Sequence, residues 1–225
     1  MKKFFALLNA LLILAVLVGD AAYIDRGTLL VKSVTSLLFT AVAAVNLVYA
    51  FISRSEKGYP AVMLAGLTFA MLGDIELHYD FIYGAGLFAL GHVLYFVSFC
   101  LLLRFKPKDL IPAALVFAGS AIFLLYYKGF YFGRALMKNV CLAYAAIISL
   151  MVGKSISNFL RKPCFLLAVA AIGSIMFFVS DFMLVLHRFA RMPRIVGTLC
   201  LVFYYPAQCV LGFSSFLYSN RAAKD

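Results

Sequence analysis

The sequence predicts an all-α integral membrane protein, a polytopic bundle of eight transmembrane helices. The chain has 225 residues, of which 65% are hydrophobic and only 13% are charged. A soluble domain of this length could not bury so much apolar surface. The apolar residues also fall into long runs, and short segments rich in charged or turn residues separate these runs. We therefore expect the whole chain to form one membrane domain.

The predicted helices follow from apolar runs of about 16–25 residues, which match a hydrocarbon core ~30 Å thick. The first run follows two lysines and resembles a signal peptide, but we expect it to remain as a span because further membrane segments follow it. Pro60 and Pro112 suit the first turns of their helices, whereas Pro206 is expected to disturb the last one. The predicted spans are 4–22, 28–52, 60–77, 81–103, 110–127, 135–152, 164–186 and 194–218.

The distribution of basic residues predicts the orientation. With the N-terminus inside, twelve of the 20 Lys and Arg residues fall on the inner side and eight on the outer side. The positive-inside rule then places both termini in the cytoplasm. We attribute the net charge of +11 to the orientation of the chain in the membrane and to contacts with lipid headgroups. The sequence lacks the basic segments interleaved with aromatic residues that are typical of nucleic-acid binding. The inner set is Lys2, Lys3, Arg54, Lys57, Arg104, Lys106, Lys108, Lys154, Arg161, Lys162, Arg221 and Lys224.

Two acidic motifs interrupt the apolar sequence, G-D-x-x-L at Asp74 and S-D-x-x-L at Asp181. A charged residue at membrane depth costs at least ~3 kcal/mol on insertion scales and by default marks a functional site. We predict that the two aspartates share one site, whereas Glu76 is expected at the outer surface. Alternatively, each aspartate is an interfacial cap or the ion-pair partner of Lys32 or Arg188.

Further polar residues are expected in the same half of the membrane, from their depth at 1.5 Å per residue. His92 and Tyr95 share one face of the fourth span, and the eighth span carries Tyr204, Tyr205 and Gln208. These residues predict a cavity that opens to the outer leaflet and has His92, Tyr95, Tyr205 and Gln208 as its floor. Alternatively, they are a core histidine and ordinary interhelical hydrogen-bonding residues. The similar order of motifs in the two halves suggests a parallel 4+4 internal repeat.

These motifs resemble those of the YhhN family of lysoplasmalogenase-like membrane proteins. The resemblance implies eight helices and hydrolysis of the vinyl ether bond of lysoplasmalogens, which releases a fatty aldehyde and glycerophospho-ethanolamine or -choline. It also implies that Asp74 and Asp181 are the catalytic pair and that Tyr144 and Lys32 belong to the substrate site. The matching stretches are Leu72-Gly73-Asp74-x-x-Leu77, Phe88-x-x-Gly91-His92-x-x-Tyr95, Val140-x-x-x-Tyr144, Ser180-Asp181-x-x-Leu184 and Tyr204-Tyr205-x-x-Gln208, together with Lys32.

The chemistry of a vinyl ether suits two carboxyl groups. Protonation at carbon gives an oxocarbenium ion that water captures, and glycosidases meet the same kind of cation with an acid and a carboxylate. One aspartate would be protonated near neutral pH and the other ionised. The sequence does not indicate which of Asp74 and Asp181 has which role. His92 would order the water or tune an aspartate. The predicted substrate contacts are Tyr95, Tyr144, Tyr204, Tyr205 and Gln208, with Lys32, Arg188 or Arg191 at the phosphate.

Two other functions fit the same residues. A proton-coupled transporter of lipids or small molecules also uses paired acids inside the membrane. A metal-dependent hydrolase could use Asp74, His92 and Asp181 as ligands, although the sequence has no H-x-x-x-H spacing. The five cysteines contain no C-x-x-C pair and are interpreted as core residues. We therefore predict a lysophospholipid substrate and membrane lipids as partners, with neither a metal nor a cofactor.

Overall fold

The computed structural model describes residues 1–190 and 192–222, and within these ranges the chain forms eight long α-helices. Each is long and apolar enough to cross a membrane, which confirms the predicted all-α polytopic fold. Arg191 and Lys224 lie outside the described residues. The helices are α1 (Lys2–Arg26), α2 (Leu29–Ile52), α3 (Gly58–Glu76), α4 (Phe81–Leu102), α5 (Leu110–Tyr126), α6 (Ala135–Arg161), α7 (Phe165–Phe189) and α8 (Arg194–Ala222), and a 3₁₀ turn at Pro107–Asp109 precedes α5.

The bundle has the inverted polarity of a membrane protein. Leu7 and Leu14 of α1 are 61% and 58% exposed on the outside of the bundle. Asn9 on the same helix is fully buried. Asn9 and Asn46 exchange two amide hydrogen bonds of 2.8 Å between α1 and α2. Polar groups face inward because lipid offers them no hydrogen bonds.

Consecutive helices pack as hairpins, α1 with α2, α3 with α4, α5 with α6 and α7 with α8. Contacts of α2 with α8 and of α4 with α6 join these hairpins into one bundle. Between α3 and α4 the backbones approach closely, because a Cβ atom on Gly91 would lie only 3.1 Å from the carbonyl oxygen of Gly66. The parallel 4+4 repeat stays a prediction.

The ends of several helices are defined by local hydrogen bonds. Asp80 caps α4, since its Oδ1 accepts the amide hydrogens of Ile82 and Tyr83 at 2.7 and 3.0 Å. Gly27 ends α1 in the left-handed conformation (φ 65°), and its amide donates to the carbonyl oxygen of Tyr23 at 2.8 Å.

Two details of the sequence prediction were wrong. α6 continues to Arg161 instead of ending at residue 152, so Lys154 is a buried helical residue and not part of a connection. α8 runs without interruption through Pro206, which was expected to disturb it. A single missing amide hydrogen is tolerated in a membrane helix that neighbouring helices support.

The longer α6 is held by a buried ionic network. Asp109 is 1% exposed, and its carboxylate accepts hydrogen bonds from Lys154 Nζ at 2.7 Å and Ser157 Oγ at 2.5 Å. Arg161 Nη1 adds bonds of 3.1 and 3.2 Å, and the Lys106 amide donates at 2.9 Å. The carboxylate is therefore fully surrounded by donors, and the network fixes the start of α5 on α6.

We expect Asp109→Asn to destabilise the bundle, because Lys154 would keep its buried charge without a counterion. Removing one member of a buried ion pair costs about 3–5 kcal/mol. Size-exclusion chromatography of heated, detergent-solubilised protein would measure the loss as a lower unfolding temperature. The matched control is Asp25→Asn at an exposed position, expected to stay within about 0.5 kcal/mol. Equal stability of the two variants would contradict the structural role of Asp109.

Candidate functional site

Asp74 lies in the last turn of α3 and is bonded to two other helices. Lys32 of α2 places its Nζ 3.1 Å from Asp74 Oδ1. The other carboxylate oxygen, Oδ2, accepts hydrogen bonds from Ser36 Oγ at 2.6 Å and from the Tyr205 hydroxyl at 3.0 Å. Both members of the ion pair are buried, since Lys32 is 7% and Asp74 4% exposed. Asp74 thus has one cation and two neutral donors.

Asp181 lies in α7 and is bonded to α4 and α6. Its Oδ2 accepts the hydroxyl of Tyr144 at 2.6 Å and lies 3.2 Å from His92 Nε2. His92 Nε2 is in turn 2.7 Å from the Tyr144 hydroxyl oxygen, so the three polar groups form a closed triangle. The Nδ1 atom of His92 faces only the weakly accepting sulfur of Met151 at 3.3 Å.

The two aspartates have different electrostatic environments. Asp74 faces the permanent charge of Lys32. Among the described residues, the one base bonded to Asp181 is His92, which is positive only when it is protonated. Within the described residues, Oδ1 of Asp181 accepts no hydrogen bond, while both oxygens of Asp74 are engaged. One carboxyl group is therefore firmly paired and the other has a free oxygen.

Both aspartates line one cavity of about 460 Å³ at the end of the bundle opposite the termini. Basic side chains enter its lining from the end of α7 and the start of α8, namely His187, Arg188 and Arg194. Apolar side chains such as Phe88 and Leu201 form other parts of the wall. The cavity thus combines carboxyl groups, cations and hydrocarbon surface.

Two narrow apolar clefts also reach Asp181. One runs between α4, α6 and α7, and the other between α5, α6 and α7; both are lined by Tyr144 and Cys141 as well as Asp181. Val185 and Leu184 are among the hydrophobic side chains of the first cleft. Asp181 therefore lies between the larger cavity and two small apolar clefts.

Aromatic rings separate the two carboxylate clusters. Phe88, Phe177 and Tyr204 contact each other edge-on, with ring centroids 5.5–5.9 Å apart. Phe177 also lies 4.7 Å from the ring of His92. Phe177 therefore packs against the histidine that contacts Asp181.

The predicted site residues fall into two groups. Tyr204 and Lys32 line the cavity with the two aspartates, whereas His92 and Tyr205 are fully buried behind the aspartates that they contact. The predicted cavity floor of His92, Tyr95, Tyr205 and Gln208 was wrong, because none of these four residues is in the lining. The Tyr95 hydroxyl instead donates to Gln208 Oε1 at 2.9 Å. The roles of all these residues in substrate binding stay predictions.

Three functional candidates were missed from the sequence. Ser36, which bonds Asp74, follows Lys32 by four residues on the same face of α2, and that spacing could have revealed it. Arg194 lines the cavity from the start of α8. Asp20 is a further buried acid, 6% exposed, whose position inside the first span was the available signal.

No three His, Cys, Asp or Glu side chains come together as a possible metal site in residues 1–190 and 192–222. The three residues proposed for a metal-dependent hydrolase, Asp74, His92 and Asp181, are thus divided between two clusters. Asp74 is engaged by Lys32, and His92 faces Asp181.

A comparison with protein families gives one result. The sequence model of the YhhN family matches residues 27–215, which is most of the chain. The matched segment contains both aspartates and their bonded partners, whereas Asp20 precedes it. No curated protein and no solved structure matches the chain.

The predicted orientation can be tested by cysteine labelling, with the five native cysteines replaced. Thr198→Cys lies in the cavity lining, and Lys57→Cys lies at the end that carries the termini. If the termini are cytoplasmic, a membrane-impermeant maleimide added to intact cells labels Thr198→Cys only. Lys57→Cys should react after permeabilisation. The reverse pattern would show that the cavity opens toward the cytoplasm.

Proposed function

The chain belongs to the YhhN family, and from this membership we propose that it is a membrane-embedded hydrolase of lysoplasmalogens. The reaction would add water across the vinyl ether bond and release a fatty aldehyde and glycerophospho-ethanolamine or -choline. The observation that carries the proposal is that two carboxyl groups, one paired with a lysine and one without a permanent cation, line a single cavity. Hydrolysis through an oxocarbenium ion needs this combination of acid and carboxylate.

Asp181 is assigned the role of proton donor. Its Oδ1 is free to meet substrate, and its Oδ2 is held by Tyr144 and His92. Transfer of the Asp181 proton to the β-carbon of the vinyl ether leaves the positive charge on the α-carbon and the ether oxygen. The hydrogen-bonded path through Tyr144 and His92 offers a route for returning a proton to Asp181.

Asp74 is assigned the role of ionised carboxylate. Lys32, Ser36 and Tyr205 all stabilise its negative charge. That charge would favour the oxocarbenium ion and orient the water that attacks its α-carbon, as fixed charges do in preorganised sites. The water returns one proton to Asp181, which has given its own to the β-carbon. The hemiacetal that forms then collapses to aldehyde and alcohol as its hydroxyl proton moves to the glycerol oxygen.

The composition of the cavity supports an amphipathic substrate. Arg188 and Arg194 are available for the phosphate at the ends of α7 and α8. The hydrocarbon chain would extend toward the apolar clefts beside Asp181, so that the vinyl ether lies at the carboxyl group. Lys32 is instead assigned to Asp74, and Tyr95 and Gln208 to packing between α4 and α8.

The first test of this proposal replaces single carboxyl groups. Asp74→Asn and Asp181→Asn should each abolish turnover of lysoplasmalogen by purified protein. An amide can supply neither the catalytic proton assigned to Asp181 nor the negative charge assigned to Asp74. His92→Ala should lower kcat by about 10²-fold or more, a typical size for a contribution to proton transfer. Aldehyde release in detergent micelles is the measurement.

Glu76→Gln is the matched control for these variants. Glu76 lies in the same turn of α3 as Asp74 but is not part of the cavity lining, so activity should be unchanged. All variants should elute as wild type in size-exclusion chromatography. An inactive Glu76→Gln together with an active Asp74→Asn would show that the wrong carboxylate was assigned.

A second test follows the proton. In heavy water the reaction should place one deuterium on carbon 2 of the fatty aldehyde, because the acid delivers its proton to the β-carbon. Turnover should also be slower, since that transfer is expected to limit the rate. Early trapping of the aldehyde prevents later exchange with solvent, and mass spectrometry reads the label.

The products separate the competing functions. Aldehyde without deuterium at carbon 2 would refute the proton-transfer mechanism. With a mixed pool of lysolipids as substrate, free fatty acid as the sole product would identify an ester hydrolase and refute the substrate class. A proton-coupled transporter would release no product in micelles, although its aspartates would also be essential in a transport assay.

A further inference from the structure

A second cavity, of about 440 Å³, lies at the end of the bundle that carries the termini. Its lining comes from the connection between α2 and α3, the end of α4, the connection between α6 and α7 with the start of α7, and the end of α8. It is thus far along the helices from Asp74 and Asp181 and shares no lining residue with their cavity. The proposed hydrolysis makes no use of it.

The cavity carries an excess of positive charge. Arg54, Lys162 and Arg221 line it together with one acid, Glu56. Glu56 is engaged by the Tyr218 hydroxyl, which donates to Oε2 at 2.7 Å. Three positive charges against one negative charge leave a net charge of +2.

The cations keep donors for a ligand. Within the described residues, the side chains of Arg54 and Lys162 make neither a hydrogen bond nor an ion pair with a carboxylate, and Arg221 Nη1 meets only the weakly accepting Cys164 sulfur at 3.3 Å. Asp109 at the same end of the bundle is, by contrast, surrounded by donors. Among the residues that the structure describes, the cations of the cavity therefore have no anionic partner.

The backbone of Arg54 supports a role for its side chain. Arg54 has φ 55° and is the one non-glycine residue with positive φ among the described residues. It follows the last residue of α2 and its cap, a position where glycine is usual because the left-handed conformation costs other residues about 1–2 kcal/mol. The chain carries this cost while placing a guanidinium group at the cavity.

Part of the cavity wall is hydrocarbon. Leu102 and Leu103 at the end of α4 line it together with Leu166 and Leu167 at the start of α7. A small hydrophilic anion would gain nothing from these four side chains. A phosphate group attached to acyl chains would use both the cations and the leucines.

We propose that this cavity binds the phosphate group of an anionic phospholipid of the surrounding membrane. The phosphate lies among Arg54, Lys162 and Arg221, and the adjoining acyl chain lies on the leucines. The net charge of +2 selects lipids with a negative headgroup over zwitterionic lipids. Free phosphate has the same anionic chemistry but lacks the hydrocarbon, so the two ligands can be told apart by experiment.

The test is native mass spectrometry of the purified full-length chain in detergent micelles that contain phosphatidylglycerol or phosphatidylcholine. Wild type should retain phosphatidylglycerol in preference to phosphatidylcholine. Arg54→Gly and Lys162→Gln should each weaken retention about fivefold, from roughly 1 kcal/mol per basic residue at a lipid headgroup. Glycine accepts positive φ without strain, so Arg54→Gly removes the guanidinium without threatening the fold.

Lys57→Gln is the matched control, because Lys57 belongs to the same connection as Arg54 but does not line the cavity. It should retain phosphatidylglycerol like wild type. Equal retention of both lipids by wild type, or equal losses in Lys57→Gln and Arg54→Gly, would overturn the proposal. Displacement of the lipid by millimolar inorganic phosphate would overturn the lipid assignment and identify a site for the free anion.

Discussion

A carboxylate inside the hydrocarbon region must find its hydrogen-bond donors on neighbouring helices, and this constraint organises the bundle. Asp74 joins α3 to α2 and α8 through Lys32, Ser36 and Tyr205. Asp181 joins α7 to α4 and α6 through His92 and Tyr144. Each aspartate costs at least ~3 kcal/mol to insert, so these bonds are needed for stability. The same bonds bring both carboxyl groups to one cavity.

The two clusters are alike in position and unlike in chemistry. Asp74 on α3 is bonded to α2 and α8, and Asp181 on α7 is bonded to α6 and α4. Each helix of one cluster is thus four positions along the chain from its counterpart in the other: α3 and α7, α2 and α6, α8 and α4. A lysine faces one carboxylate and a histidine the other. A fixed positive charge favours an ionised carboxylate, whereas an imidazole can act as a proton donor or acceptor. The pattern fits a division of roles between charge stabilisation and proton transfer.

The charged side chains of this protein differ in how completely other side chains satisfy them. Asp109 has a structural role, whereas Asp181, Arg54 and Lys162 are the ones proposed to meet a ligand. The carboxylate of Asp109 is surrounded by donors and has no capacity for a ligand. Asp181 keeps one oxygen free at the first cavity, and the side chains of Arg54 and Lys162 keep their donors free at the second. Buried polar groups are normally satisfied, so the open oxygen of the buried Asp181 indicates where a ligand would supply the missing partner.

The sequence by itself determined the eight spans, because membrane thickness sets their length and charged connections set most of their ends. It also identified both aspartates, since charge at membrane depth is rare whatever the fold. The end of α6 was predicted too early, because a lysine such as Lys154 is typical of a connection between spans. In the structure Asp109 neutralises its charge, so the helix continues. Only the tertiary structure decided that Lys32 pairs with Asp74 and that Tyr95 and Gln208 bond to each other away from the cavity. Most residues on both sides of a membrane helix are apolar, so the few polar residues indicate which side faces inward but not which partner each one contacts.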